Sequence, residues 1–205
     1  MHPAGSFHEA DRSELIRRAG ERGFAVIVGM TEGRALVGHA PLLIEGERAR
    51  FHLSAANRLA DAVSASGRVL AVVTGEDAYV SPDWYGLADQ VPTWNYVSVE
   101  IEGPARRLSR AETEILLDDL AARYEAPLAP KPAWTRAKMD PAKFSGMVSG
   151  VVGFEVTIER LEGTTKLSQN KPAEAIARVA AELAKLDDEG ARAIARRMVR
   201  LREEG

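Results

Sequence analysis

Four stretches of this chain collect side chains capable of chemistry: His39 and Pro41 in "GHAPLL", His52 and Ser54 in "FHLSAANR", the aromatic run "AYVSPDWYGLADQVPTWNY", and the polar cluster in "RLEGTTKLSQNKP". In the second, His52 and Ser54 alternate with Phe51 and Leu53 and lead to Asn57-Arg58, which reads as a helix start. A helix start offers unpaired N–H groups and positive partial charge, and Arg58 adds a charged donor, so the stretch suits a phosphate. Charge-assisted hydrogen bonds contribute ~1.5–3 kcal/mol each, so three or four offset the desolvation of that anion. Trp84 and the other rings of the third stretch can cover a flat ring, while Lys166, Gln169 and Asn170 can bond heteroatoms at its edge. The ligand implied is anionic at one end and planar at the other.

Each stretch also has a plainer reading. A strand histidine is most often a hydrogen-bonded structural group. The aromatic loop can pack over a barrel or build a subunit interface. Asn57 caps a helix whatever else it does, and "KLSQN" can be a turn with Asn170 as N-cap and Pro172 in the first turn of the next helix.

Composition narrows the field. Of 205 residues, 45% are hydrophobic and 28% charged, enough for a soluble domain with a real core. The chain has no cysteine, which excludes disulfides and thiolate metal sites. His2, His8, His39 and His52 lack the spacing of a helix-borne zinc site. A net charge of −3 gives no long-range pull toward nucleic acid or acidic membranes. No run approaches the ~18 apolar residues of a membrane span and "MHPAGSFHEADRSEL" is not a signal peptide, so a cytoplasmic location is expected.

The elements that must position these groups alternate between two periodicities. "FAVIVGM" (24–30) and "RVLAVVTG" (68–75) are continuous apolar runs of the kind buried on both faces of a sheet. "RALVGHAPLLIE" and "RARFHLS" flank the turn "EGE" as a hairpin, and Pro41 marks an edge or a bulge. "NYVSVEIEGPARRL" and "VVGFEVTIERLEG" alternate as half-buried antiparallel strands. Six strands with little helical cover between them do best by closing into a barrel or sandwich. Helices are expected over 11–20, after Asn57 up to Gly67, from a Ser109/Glu112 capping box to Pro127, briefly after Asp140-Pro141, and in two segments beyond Pro172 that break at "DDEG". The class is mainly β with peripheral helices (α+β), with residues 1–170 forming the barrel domain and 171–205 a helical extension.

"AYVSPDWY", "VPTWNYVSVEIEG" and "VVGFEVTIERLEGTTKLSQNKP", supported by "GHAPLLIE" and "FHLSAAN", resemble the PaiB family of FMN-binding negative transcriptional regulators over residues 24–172. The resemblance implies an FMN-binding split β-barrel of the pyridoxamine-phosphate-oxidase type, assembled as a homodimer with FMN in the clefts between subunits. It implies that His39, Ala40, Pro41 and Leu42 run along the isoalloxazine, partly through backbone groups, and that His52, Leu53, Ser54, Asn57 and Arg58 hold the phosphate. Trp94, Asn95 and Tyr96 would approach from the neighbouring subunit. Lys166, Gln169 and Asn170 would close over the ring, with Lys166, Ser168 and Trp84 facing substrate. The chain departs from the family in three places: "MHP" stands for Tyr-x-Pro, Asn57-Arg58 for Asn-Pro, and "GHAP" for Thr-His-Leu-Pro.

The resulting expectation is a cytoplasmic, FMN-binding homodimer with a regulatory or redox-sensing role and a small-molecule ligand. The alternatives are an FMN-dependent oxidoreductase, its substrate placed by His39, Lys166 or Ser168, and a haem-binding split barrel. Direct DNA binding is disfavoured. The basic stretch "ARAIARRMVRLR" is an amphipathic helix, dimer-supporting or solvated, and residues 171–205 carry eight Lys/Arg against seven Asp/Glu.

Overall fold

The computed structural model describes residues 2–203, and the statements below concern those residues. Eight strands and six α-helices follow one another as β1 (His8–Glu9), α1 (Arg12–Arg22), β2 (Phe24–Thr31), β3 (Arg34–Glu45), β4 (Arg48–Ser54), α2 (Arg58–Ser66), β5 (Arg68–Val80), β6 (Thr93–Arg107), α3 (Arg110–Glu125), α4 (Pro141–Val148), β7 (Val151–Thr157), β8 (Arg160–Lys166), α5 (Ala173–Lys185) and α6 (Glu189–Glu203). The strands are hydrogen-bonded in the order β1-β8-β6-β5-β2-β3-β4-β7, and β6 also pairs with β7. The ring β6-β5-β2-β3-β4-β7 is therefore closed. The chain divides into two compact units: residues 16–73 with 100–161, and residues up to 15 with 74–99 and everything from 162 onward.

The barrel lies in the first unit. Phe51 and Phe154 are register partners on β4 and β7, and their rings stack at 5.3 Å between centroids in the fully buried interior. Burial of side chains of this size contributes ~1.5–3 kcal/mol each. Leu59 and Val63 of α2 seat against β2 and β3 where Gly29 and Gly38 leave room. A Cβ on Gly38 would come within 2.7 Å of Leu59, and one on Gly29 within 2.9 Å. The helix is bounded as its sequence requires: Asn57 Oδ1 accepts the Leu59 N–H at 3.0 Å, and Gly67 ends it at φ +62°. The Ser109/Glu112 capping box starts α3. There the Ser109 backbone N–H, then its hydroxyl, then Arg106 hold the Glu112 carboxyl down at about 2.

Pro41 behaves differently from expectation. β3 is an inner strand that pairs with β2 as far as Phe24↔Pro41 and with β4 from Leu42↔Phe51 onward. The proline marks the handover between partners, and Leu42 N–H donates to Gly23 O at 2.8 Å. The apolar runs also differ. In β2, Ala25 and Ile27 are buried while Phe24 and Met30 on the outer face are 44% and 51% exposed. Continuous apolarity here means one core face and one uncovered apolar face rather than burial on both.

In the second unit β1 pairs with β8, and Val80, Tyr85, Val97 and Leu167 form a core with Val179 and Leu183 of α5 and Ile194 and Met198 of α6. Ile194 and Met198 on the apolar face of α6 are thus packed inside its own unit, while Val199 is 44% exposed. The single strand expected over 151–163 is two, β7 and β8. At the break, Gly103 of β6 is so close to β7 that a Cβ would fall 1.8 Å from Thr157 O. Asn170 is not the cap of α5; that place is taken by Pro172.

Candidate functional site

The expected phosphate end falls within the barrel unit. His52 and Ser54 leave the outer face of β4, and the chain turns through Ala55 and Ala56 into Asn57 and Arg58. The turn is braced by the Asn57 N–H donating to Ser54 O at 3.0 Å and the Ala56 N–H to Ser54 Oγ at 3.3 Å. Arg58 is exposed at the first position of α2, and no carboxylate pairs with it. His52 is half-buried, and its Nδ1 is enclosed with no hydrogen-bond partner. Burial pushes its pKa below the ordinary histidine value, which favours the neutral ring. Ala40, Leu42 and Leu53 turn their side chains into the core, which leaves only their backbone for a ligand. His39 is exposed and lies nearly parallel to Phe24, 6.3 Å between ring centroids.

The expected ring end falls within the other unit. Lys166, the last residue of β8, is half-buried and donates from Nζ to Thr93 Oγ1 at 2.5 Å. Its pKa is lowered, and burial is the cause. Trp94 is 53% exposed and meets Tyr79 edge to face at 6.2 Å; Tyr96 is half-buried and Asn170 exposed.

Asn95 and Ser168 sit elsewhere than a ligand-facing role requires. Ser168, expected to face substrate, is 3% exposed. Its Oγ lies 2.8 Å from Tyr85 Oη and 3.1 and 3.2 Å from the two ends of the Asn95 amide, and Asn95 is itself fully buried. These groups satisfy one another, because a buried polar group without a partner costs ~1–3 kcal/mol. Gln169 is similarly committed: its Oε1 accepts the Leu167 N–H at 2.7 Å while Nε2 donates to Thr165 O at 2.6 Å and Ser6 O at 3.1 Å. Trp84 packs half-buried on the core under α5 and α6. Asn95, Ser168, Gln169 and Trp84 thus build the frame on which Lys166 stands. Tyr85 and Thr93, which complete that frame, had no signal in the sequence beyond lying in the aromatic motif.

Among the described residues no three His, Asp or Glu side chains gather to hold a metal, and no helix is long and apolar enough to cross a membrane. Residues 1–160 match the model of the "Putative FMN-binding domain" family. The chain belongs to this family. It is also 28% identical over 169 residues to the protease synthase and sporulation protein PAI 2 of Bacillus subtilis, covering 80% of each chain. In fold it is similar to the flavocytochrome Anf3 of Azotobacter vinelandii, with a TM-score of 0.62 at 17% identity over 94% of this chain and 78% of that one. A TM-score of 0.61 at 16% identity relates it to an FAD- and heme-binding protein of Mycobacterium smegmatis, over 83% and 78% of the two chains. The fold is a split barrel, the family is that of the PaiB type, and the cofactor is FMN.

The donor set fits that cofactor. An exposed guanidinium at a helix start suits a phosphate, and the enclosed, unpartnered His52 Nδ1 is a polar atom awaiting a neighbour. The turn that follows Lys166 lies beyond the matched residues, so its part in cofactor binding rests on its own chemistry.

Proposed function

We propose that this chain works as an FMN-binding homodimer with a regulatory or redox-sensing role. Bound FMN supplies one- and two-electron chemistry; the protein supplies binding, orientation and electrostatics. The observation that carries the reading is the turn from β4 into α2, where Arg58 stands at the helix start and the preceding strand holds the enclosed His52 ring. Arg58, the turn amides and Ser54 hold the phosphate. Backbone groups of 39–42 run along the ring, and Trp94 and Tyr96 reach it from the partner subunit.

The dimer is supported by the outer face of the barrel. Phe24, Val26, Val28 and Met30 of β2 stand in register with Pro41, His39, Val37 and Ala35 of β3, and Val37 is 58% exposed. A contiguous apolar sheet face of this kind is rarely left to water.

A second reading, an FMN-dependent oxidoreductase, is favoured by the half-buried Lys166, which no carboxylate neutralises. Titration with FMN, followed by visible absorption and melting temperature, tests the cofactor claim. FMN at a hundred times its Kd adds about 2.7 kcal/mol of stability. Riboflavin, lacking the phosphate, is expected to bind at least about tenfold more weakly, and Arg58→Ala to remove most of that difference. No flavin spectrum and no rise in melting temperature would overturn the reading.

A further inference from the structure

The proline-rich connection between α3 and α4, residues 126–140, is fastened to α3 by charged groups. Glu125 at the end of α3 pairs with Lys131 and accepts the Trp134 N–H at 2.8 Å. Arg136 reaches back to Glu114 and to Asp118, each at 3.2 Å. Its guanidinium also lies over the Phe144 ring of α4, 5.6 Å from the centroid. So fastened, the connection forms one wall of a cavity of about 280 Å³, whose other walls are α3, α4 and the start of β7.

Trp134, Met139, Phe144, Met147 and Val151 line the cavity, and among the described residues Asp118 is its one charged lining group. An apolar cavity of about 150 Å³ is enough for benzene, so this one takes a molecule of one or two rings. It is too small for a peptide helix, which is about 10–12 Å across. Aromatic walls match a flat ring, and methionines adapt to its outline. Asp118 sets the polarity of the ligand. Arg136 already offsets its charge through Oδ2, so the cavity does not call for a cation, and a carboxylate in the wall disfavours an anion. A carboxylate accepts through both oxygens, however, and can take an N–H or O–H from a ligand as well.

We propose that this cavity binds a small, uncharged aromatic molecule carrying one N–H or O–H donor, its ring against Trp134 and Phe144 and its donor on Asp118. The ligand class follows from the lining and does not depend on the flavin reading. The cavity adjoins the turn assigned to the FMN phosphate without sharing its residues. Val151 is the register partner of Ser54, and the Ala55 N–H donates to Gly150 O at 2.8 Å. The cavity is therefore a second site, next to the cofactor and occupied together with it.

Indole and indene serve as a matched pair of probes, alike in shape and differing in the N–H. Each is titrated into the full chain, without FMN and at saturating FMN, with calorimetry and melting temperature as readouts. Indole is expected to bind about tenfold more tightly than indene, the effect of one hydrogen bond to a charged acceptor, and to stay bound when FMN is present. Asp118→Ala is expected to bring indole down to the level of indene and to leave indene unchanged. The ion pair it removes is solvent-facing, so the fold should survive. Should it not, Met147→Trp carries the comparison: the position is 65% exposed on α4, and the larger side chain narrows the cavity and should weaken both probes. Equal affinity for indole and indene, indole binding untouched by either variant, or displacement of indole by FMN would each overturn the proposal. So would no wild-type response to indole, whether the cavity is then empty or filled by a side chain of a second copy. Failure of FMN to bind would sink the flavin reading, while the titrations without FMN still test the cavity.

Discussion

Replacing Ser168 by alanine tests whether the turn after β8 is held from within. The hydroxyl sits between Tyr85 Oη at 2.8 Å and the Asn95 amide at 3.1 and 3.2 Å, and all three side chains are at most 3% exposed. Alanine is no worse than serine at the residue's φ of +61°, so the backbone adds little to the comparison. What changes is that the Tyr85 hydroxyl and the Asn95 amide each lose a partner where water does not reach. At ~1–3 kcal/mol for each group so stranded, the loss is about 2–4 kcal/mol after some relaxation. In a chain of this size each kcal/mol lowers the melting temperature by about 2–4 °C, so a fall of about 4–16 °C is expected by calorimetry. Tyr85→Phe alone should cost less, because Ser168 keeps Asn95. The double variant should then fall short of the sum of the single losses, the signature of shared partners. A Ser168→Ala protein melting within 1 °C of wild type, or a strictly additive pair, would refute the reasoning, since either result means that the hydroxyl is wet or differently engaged.

Val37→Glu puts a charge into the exposed apolar face of β2 and β3, and sedimentation velocity is expected to show the proposed dimer shifted to monomer with the barrel still folded; unchanged sedimentation would refute this face as the interface. The His52 ring should give stability a pH dependence. Its folded pKa lies below 6.5, so the unfolded chain takes up the proton first and stability falls as pH drops from 6.5 toward the folded value. Melting curves of wild type and His52→Gln between pH 8 and pH 5 should therefore diverge, the variant flatter; parallel curves would mean that the ring is as well hydrated folded as unfolded.

Local chemistry was legible in the sequence wherever one short segment suffices to fix it. Asn57, Gly67, the Ser109/Glu112 box and Asp140-Pro141 bound their helices as read, because caps and glycine C-termini act within a single turn. The alternation of "NYVSVEIEGPARRL" gave a strand with the right face inward for the same reason. Continuous apolar runs were less informative: periodicity cannot distinguish a face buried by the chain itself from one left for a partner, as Phe24, Met30 and Val37 illustrate. The motif "KLSQN" announced an unusual site without assigning roles within it.

The roles were decided by contacts distant in sequence. Ser168 is buried because Tyr85 and Asn95, 83 and 73 residues away, close on its hydroxyl, and Lys166 is left without a counter-ion because its nearest partner is Thr93. The run from Val151 to Lys166 becomes two strands because β6 crosses it at Gly103, where only a missing Cβ lets the backbones meet. The order of residue types fixes what a segment prefers by itself; which of its groups are satisfied, and which are left for a ligand, depends on neighbours that only folding supplies.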